Sequence, residues 1–540
     1  MNEDVKKDDT TSVDANSPAG EGADRSLDKQ FADSWSPALR GRNILTGNVW
    51  FLSLYVVLIA GFSVLYLDQP LHFDEGIFLT LGEQIASGET LYVDIADQKS
   101  PGIFALAAIV YNLPGDPVVI TRLFTYGVTA GSGLLVVRLG REFYGRRAAE
   151  GAGILFVVMS FLPHFDGFYY MTEPFAVFTL LIAAVLLGYD TLLSKAAAGV
   201  ALGAGVLFNQ TVFLFGATII VFYAIRMRYP ERRTRQYLKD SMIQILAIGA
   251  GFLGTMAVVF LFLASQGIAG ETFYFSLVLP LTGYNTPFSY EGHVLAYATL
   301  MPVLLLAGGV LINTVVSVVR GDRVDERLLF IVLWAGILSV PAATAFSGDH
   351  KFLFAFPALA LLAVTGLVTV SRKALKNRDQ LRSLPRIPDR SALISGLMVV
   401  AVLSTVVVSG GGNIYYASNV VDTDIETERD AVTTAVEGLE GPMYAYNVQA
   451  QLYIHTDIEP GTFYMGTIYS DELAQNKISS LERNEVRYVL VRRSEVTADE
   501  VVPQGYWSDH KSLMTEHLNE NYEPVRHTEE YVVFERTGRS

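Results

Sequence analysis

The 540-residue chain has no cysteine, which excludes disulfides and thiolate metal sites. It has no glycine-rich phosphate loop of the P-loop type, which speaks against an ATP-driven pump, and no GxSxG nucleophile elbow. No basic patch flanked by aromatics occurs in a soluble segment, so nucleic acid is not an expected partner. No internal repeat of fixed period is present. Charge is scarce, and its net value of −15 is unevenly spread. Residues 1–42 carry about −3 and residues 411–540 about −13, which leaves the part between them near neutrality, at about +1.

What the chain has in abundance is apolar sequence. Half of its residues are hydrophobic, which places it among membrane proteins. Residues 1–42 have no apolar period and read as a disordered cytoplasmic tail. The first apolar run, 48–67, is too long for a signal-peptide core and no small-residue cleavage site follows it, so it reads as a retained helix. Further spans are expected near 118–137, 148–164, 174–190, 195–208, 211–225, 241–264, 295–318, 328–346, 352–370 and 392–410, about 11 in all. The run 101–113 is short for a span and reads as an interfacial or re-entrant helix in the first outer loop. With that choice the arginines 138–147 and the basic loops 226–239, 320–327 and 371–386 all fall on one side. The positive-inside rule then puts the N-terminus in the cytoplasm and the C-terminus outside a cell membrane. Residues 43–410 make the membrane domain. Residues 411–540 alternate helical and strand patterns and read as a small, acidic, extracytoplasmic α/β domain.

The charges of the outer loops lie close to the membrane, where an unpaired charge is costly and implies a partner or a wet cavity. Asp74 and Glu75 follow the first span. A carboxylate there can act as general base toward an acceptor, or hold a divalent cation with its neighbour, and Asp74 also fits a helix N-cap. Lys99, in the turn Lys99-Ser-Pro-Gly, can bind a phosphate or anchor the next segment by snorkelling. Glu173, in Thr-Glu-Pro, is either a helix-start residue or a second outer carboxylate. Arg122 lies inside an apolar run and should pair with a carboxylate or a bound phosphate. His350 and Lys351 begin a late span and can reach a lipid phosphate; no second histidine stands at zinc-ligand spacing. Asn209-Gln210-Thr211 reads as a simple outer turn.

Taken together, the acidic pair after the first span, the lysine–proline turn, the arginine of the next helix and the Thr-Glu-Pro start resemble the membrane-embedded GT-C glycosyltransferases. Within them, the chain is similar to the dolichyl-phosphate-mannose protein mannosyltransferase-like group (glycosyltransferase family 39-like), which includes lipid A aminoarabinose transferases. Asn209-Gln210-Thr211 stands where that group often has Lys-Gln-Thr, and the Pro-containing helix after His350 resembles its late motif. The resemblance covers roughly residues 45–370. It departs at Ser100, where proline is usual, and the chain has no WWD-type signature of oligosaccharyltransferases. It implies a GT-C bundle that moves a sugar, hexosyl or mannosyl, from a polyprenyl (dolichyl) phosphate to an external glycan, protein or lipid, as in protein glycosylation. It places the catalytic carboxylates on Asp74, Glu75 and Glu173 and the donor-phosphate cations on Lys99, Arg122, His350 and Lys351. A divalent cation on Asp74 and Glu75 is permitted but not required. The rival is a transporter or lipid-linked sugar flippase, which would show broken helices, midplane charges and repeated halves; the sequence shows none of these clearly.

Overall fold

The computed structural model describes residues 49–229, 234–280, 294–344, 349–376, 425–466, 468, 470–502 and 508–538. The expected tail 1–42 and the expected span 392–410 lie outside the described residues. The apolar runs become helices, and their ends carry the expected signals. The first is α1 (Val49–Tyr66), followed in the loop by α2 (Phe73–Ala86) and the short α3 (Pro101–Tyr111). Then come α4 (Pro117–Tyr144), α5 (Arg146–Ser160), α6 (Thr172–Leu187), α7 (Leu192–Val206), α8 (Phe213–Arg226), α9 (Arg235–Ser265), α10 (Ala269–Phe273), α11 (Val294–Arg320), α12 (Glu326–Thr344) and α13 (Phe356–Lys376). Asp116 starts α4 by accepting from the amides of Val118 and Val119, with Pro117 in the first turn, where its missing N–H is no loss. Thr191 and Thr234 cap α7 and α9 in the same way.

Among the described residues, four helices are long and apolar enough to cross a membrane: Val49–Tyr66, Pro117–Glu142, Arg235–Ser265 and Tyr297–Arg320. Others are apolar but shorter, among them α3, α6 and α7. The 11 residues of α3 extend about 16 Å, half the ~30 Å hydrocarbon core, so α3 cannot span. It packs against α2. The bundle is thus mainly helical and multi-pass; the described helices do not establish the expected count of about 11 full crossings.

Small residues bring some helices unusually close. A Cβ on Gly199 of α7 would run into the Ile248 carbonyl, and one on Gly251 of α9 into that of Ala196. Where helices meet in lipid, close backbone approach of this kind supplies the dispersion contacts that water-driven burial cannot.

After the bundle the chain forms α14 (Ile425–Val436), β1 (Met443–Tyr446), α15 (Gln449–His455), α16 (Asp471–Arg483), β2 (Tyr488–Arg492), β3 (Val496–Thr497), β4 (Glu500–Val501), α17 (Ser508–Asn521), β5 (Tyr522–His527) and β6 (Tyr531–Arg536). The main sheet has the order β1-β2-β6-β5, with β1 parallel to β2 and the other pairs antiparallel. Strands β1, β2 and β6 are buried on both faces, the edge strand β5 is not, and the two-residue side-chain period divides the buried residues. Met443, Ala445, Leu490 and Val533 belong to the same apolar core as the bundle. Tyr444, Tyr446, Val489, Val491, Val532 and Phe534 form a second core with Met514 and Leu518 of α17. One face of the sheet is therefore continuous with the helices that carry the first loop.

Candidate active site

The loop after α1 and the start of α2 are held by a single arginine. Arg122 of α4 is fully buried, and all five of its N–H donors have acceptors. Nε and Nη2 bind the two carboxylate oxygens of Glu75 at 2.9 and 2.6 Å. Nη1 donates to the carbonyls of Leu67 and Gln69, both at 2.7 Å, and Nη2 also to that of Pro70 at 3.2 Å. Glu75, equally buried, accepts in addition from the amides of Tyr170 and His72. Arg122 therefore finds the carboxylate partner its burial demands, and neither group is left to meet a substrate. This corrects two assignments made from sequence: Arg122 has no donor to offer a phosphate, and Glu75 no free lone pairs to offer a proton or a metal. Glu75 turns to Arg122 while Asp74 turns to Lys99, so the two do not form a joint metal site.

Asp74 is not the N-cap of α2. His72 is: its Nδ1 accepts from the Asp74 amide at 3.1 Å, while Glu75 returns a bond to the His72 amide, a reciprocal capping box. This frees the Asp74 side chain. Its Oδ2 lies 3.2 Å from Lys99 Nζ, and the two side chains are 23% and 16% exposed, so both can be reached. Burial alone would raise the Asp74 pKa, but the Lys99 cation beside it outweighs that and holds the carboxyl below its usual range.

A second ion pair stands beside the first. Lys351 Nζ lies 2.6 Å from Glu173 Oε1, at the start of α6. Glu173 is nearly enclosed and also accepts from Asn209 Nδ2 at 2.9 Å and from the Thr172 hydroxyl at 3.0 Å. Met171, which offers no side-chain cap, occupies the N-cap position of α6, so Glu173 is a paired carboxylate rather than a cap. Asn209 is more than the simple turn its sequence suggests, because its amide ties the α7–α8 turn to Glu173. His350 lies 3.7 Å from Glu173 and 3.9 Å from Asp166. Burial pushes its pKa down to about 3, so at neutral pH it is an uncharged imidazole, not the phosphate-binding cation expected of it. Burial likewise lowers Lys351 against the pull of Glu173, and the fields of Lys99 and Asp74 reach it too. The two pairs thus form one electrostatic cluster.

Asp166 is among the outer-face charges that the sequence sets close to the membrane, but the sequence does not single out either it or His72 as a member of this cluster. Asp166 sits in the left-handed region at φ 52, with His72 at 3.8 Å and His350 at 3.9 Å. The signal was there: an Asp-Gly dipeptide marks such a turn, and Asp tolerates that conformation. Among the described residues no cluster of three or more His, Cys, Asp or Glu side chains is arranged to hold a metal ion.

The turn carrying Lys99 is clamped from the C-terminal unit. Ala96 exchanges backbone hydrogen bonds with Phe463 and Met465, at 2.7 and 2.8 Å, and Tyr464 donates to Gln98 Oε1. Asp97 accepts from the Lys99 amide at 3.0 Å, and Tyr92 donates to the Lys99 carbonyl at 2.6 Å. Lys477, enclosed between the rings of Tyr444 and Tyr464, donates to the Gly466 carbonyl at 2.9 Å. Burial pushes Asp97 up to about 7 and Lys477 down to about 7. Gly466 has no room for a side chain, since a Cβ would meet Tyr464 Oη and, at 2.6 Å, Asp97 Oδ2. Gly466→Val is expected to destabilise the protein by about 1–3 kcal/mol through overpacking, and to weaken the hold on Lys99. Thermal unfolding checks the first effect. Unchanged protease resistance of the loop 88–100 would contradict the second.

No protein-family profile matches the chain, and no curated protein does. Solved structures do match. ArnT from Cupriavidus metallidurans, bound to undecaprenyl phosphate, aligns with a TM-score of 0.58 at 14% identity, over 91% of this chain and 98% of that one. The oligosaccharyltransferase of Archaeoglobus fulgidus in its apo form aligns at 0.53 and 12% identity, over 83% and 70%. AglB from the same organism, in complex with an inhibitory peptide and a dolichol-phosphate, aligns at 0.51 and 12% identity, over 82% and 69%. The architecture expected from the motifs of the first loop is the one found: the chain has the fold of the GT-C membrane glycosyltransferases.

Proposed function

We propose that the protein is a glycosyltransferase that moves a sugar, hexosyl or mannosyl in type, from a polyprenyl (dolichyl) phosphate to an extracytoplasmic glycan, protein or lipid. The observation that carries this is the reachable Asp74–Lys99 pair beside Lys351–Glu173, on a fold two of whose bearers hold polyprenyl phosphates. The multi-pass bundle (43–410) sits in the cell membrane with its N-terminus cytoplasmic, and the C-terminal α/β domain (411–540) lies outside.

The reaction is a single displacement. The acceptor oxygen bonds to the anomeric carbon as the carbon–oxygen bond to the lipid phosphate breaks. The acceptor proton passes to the Asp74 carboxylate, which Lys99 keeps ionised. The bonding electrons leave on the lipid phosphate, whose charge Lys99 and Lys351 stabilise. Glu173 positions Lys351, neutral His350 lies beside Glu173 and Asp166, and Glu75–Arg122 fixes the loop. No step requires a metal, and Asp74 alone would remain to ligate one.

Lys99→Met tests this. Loss of a charge-assisted bond of about 1.5–3 kcal/mol should raise the donor KM roughly 10- to 100-fold. Removing the cation also lifts the depressed Asp74 pKa, so the acid limb of kcat/KM should move to higher pH. An unmoved acid limb would separate Lys99 from Asp74 and remove the proposed proton path.

A further inference from the structure

Lys477 takes no part in the chemistry described so far, yet its burial demands a reason. It lies on α16 and is 1% exposed, with its ammonium between the rings of Tyr444 and Tyr464. Lysine is almost never so buried unless its charge is paired. Its Nζ donates to the Gly466 carbonyl at 2.9 Å, but a neutral amide could make that bond, and a methionine could pack between two rings. Neither role needs a charge. A charge is needed on the other side of Gly466, where Asp97 lies buried. Its Oδ2 is so close that a Cβ on Gly466 would stand 2.6 Å from it. Asp97 and Lys477 thus meet one glycine, at its Cα and at its carbonyl, and each lies in the field of the other. Asp97 also feels Lys99 and Asp74, and Lys477 feels Lys511 of α17.

Asp97 carries this contact on to Lys99. The backbone exchange with Phe463 and Met465 stops at Ala96. Beyond it, Asp97 Oδ1 accepts from the Lys99 amide at 3.0 Å and fixes the lysine itself. An ionised acceptor makes such a bond roughly twice as strong as a neutral one. A bare carboxylate at position 97 would have a cost, however. It would set a second negative charge in the field of Asp74, next to the cation that is to meet the donor phosphate. A buried ammonium on the C-terminal unit resolves the conflict. It balances Asp97 without drawing on the charge of Lys99.

We infer that Lys477 is a positioning residue for the transfer reaction: the charge it buries at Gly466 holds the Asp97 carboxylate, and through it the Lys99 backbone, in the geometry that sets Lys99 3.2 Å from Asp74. The inference rests on the proposed transferase function and gives the C-terminal domain a part in it that needs no contact with substrate.

The test uses the full-length protein in lipid nanodiscs and reads two quantities. One is deuterium exchange at the Lys99 amide. The other is transfer from a tritiated polyprenyl-phosphate sugar fraction of a gene-deletion strain to membranes of that strain. Lys477→Met removes the charge and can still pack between the rings. It should speed exchange at Lys99 and raise the donor KM, each roughly tenfold, with a smaller change in kcat. Asp97→Asn should act alike, and the double variant should be no worse than Asp97→Asn alone, because Lys477 acts through Asp97. A lysine that only packs would instead add its full loss to that of Asp97→Asn. Arg483→Ala removes an exposed cation from the same helix and should leave both readouts unchanged. Additive losses, or exchange at Lys99 unmoved by Lys477→Met, overturn the inference and leave the transferase function standing. If Lys477→Met fails to fold, Asp97→Asn decides, since unmoved exchange at Lys99 there breaks the chain of contacts. No transfer by the unaltered protein overturns both.

Discussion

Asp74→Asn is expected to lower sugar transfer by about 10²- to 10⁴-fold, the usual contribution of a positioned general base, with the fold unchanged. The change is isosteric. The bond that caps α2 uses the Asp74 backbone amide, not its side chain, so His72 keeps its partner. Glu75 and Arg122, which hold the loop, are untouched. An asparagine oxygen can still accept from Lys99, so the cation stays in place while proton acceptance is lost. The measurement is acceptor-dependent release of sugar from the lipid donor, alongside the thermal unfolding midpoint. The effect should fall on kcat more than on the donor KM, because the carboxylate acts on the acceptor proton. Turnover within a few-fold of the unaltered protein, at an unchanged midpoint, would remove Asp74 from the chemistry.

Much of the fold was legible in the sequence because its signals are local. Long apolar runs specify the helices of the bundle, and the short apolar runs 443–447, 487–492 and 530–535, set between helical patterns, specify strands. The strand Tyr522–His527 was not legible, since it follows α17 without a break and its Pro524 lies at a register irregularity. In the site, Lys99 beside Asp74 and the demand of Arg122 for a carboxylate could be anticipated from the rule that charge near hydrocarbon pairs. Which carboxylate Arg122 would take could not. Asp74 and Glu75 are adjacent in sequence, but successive helical side chains diverge by about 100°, so one meets Arg122 and the other Lys99. His72, Asp166 and Asn209 act through contacts that are remote in the chain, and no local pattern records those.

Arg122→Met is expected to destabilise the protein more than Gly466→Val does. It leaves the Glu75 carboxylate buried with only the amides of Tyr170 and His72, and it orphans the carbonyls of Leu67, Gln69 and Pro70. Breaking a buried pair in this way costs about 3–5 kcal/mol. Glu75→Leu should cost less, because Arg122 keeps its three carbonyl acceptors and the longer side chain can shift toward solvent. The double variant separates the pair from its surroundings: with no uncompensated charge left, its loss should be smaller than the sum of the single losses by roughly 0.5–3 kcal/mol. Thermal midpoints of all four proteins in one detergent give the cycle. The loop that Arg122 holds also presents His72 and Asp74, so folded Arg122→Met protein should show weakened transfer with intact donor binding at Lys99 and Lys351. Additive losses would mean that Glu75 and Arg122 are stabilised separately, and that the loop owes its shape to the three carbonyl bonds alone.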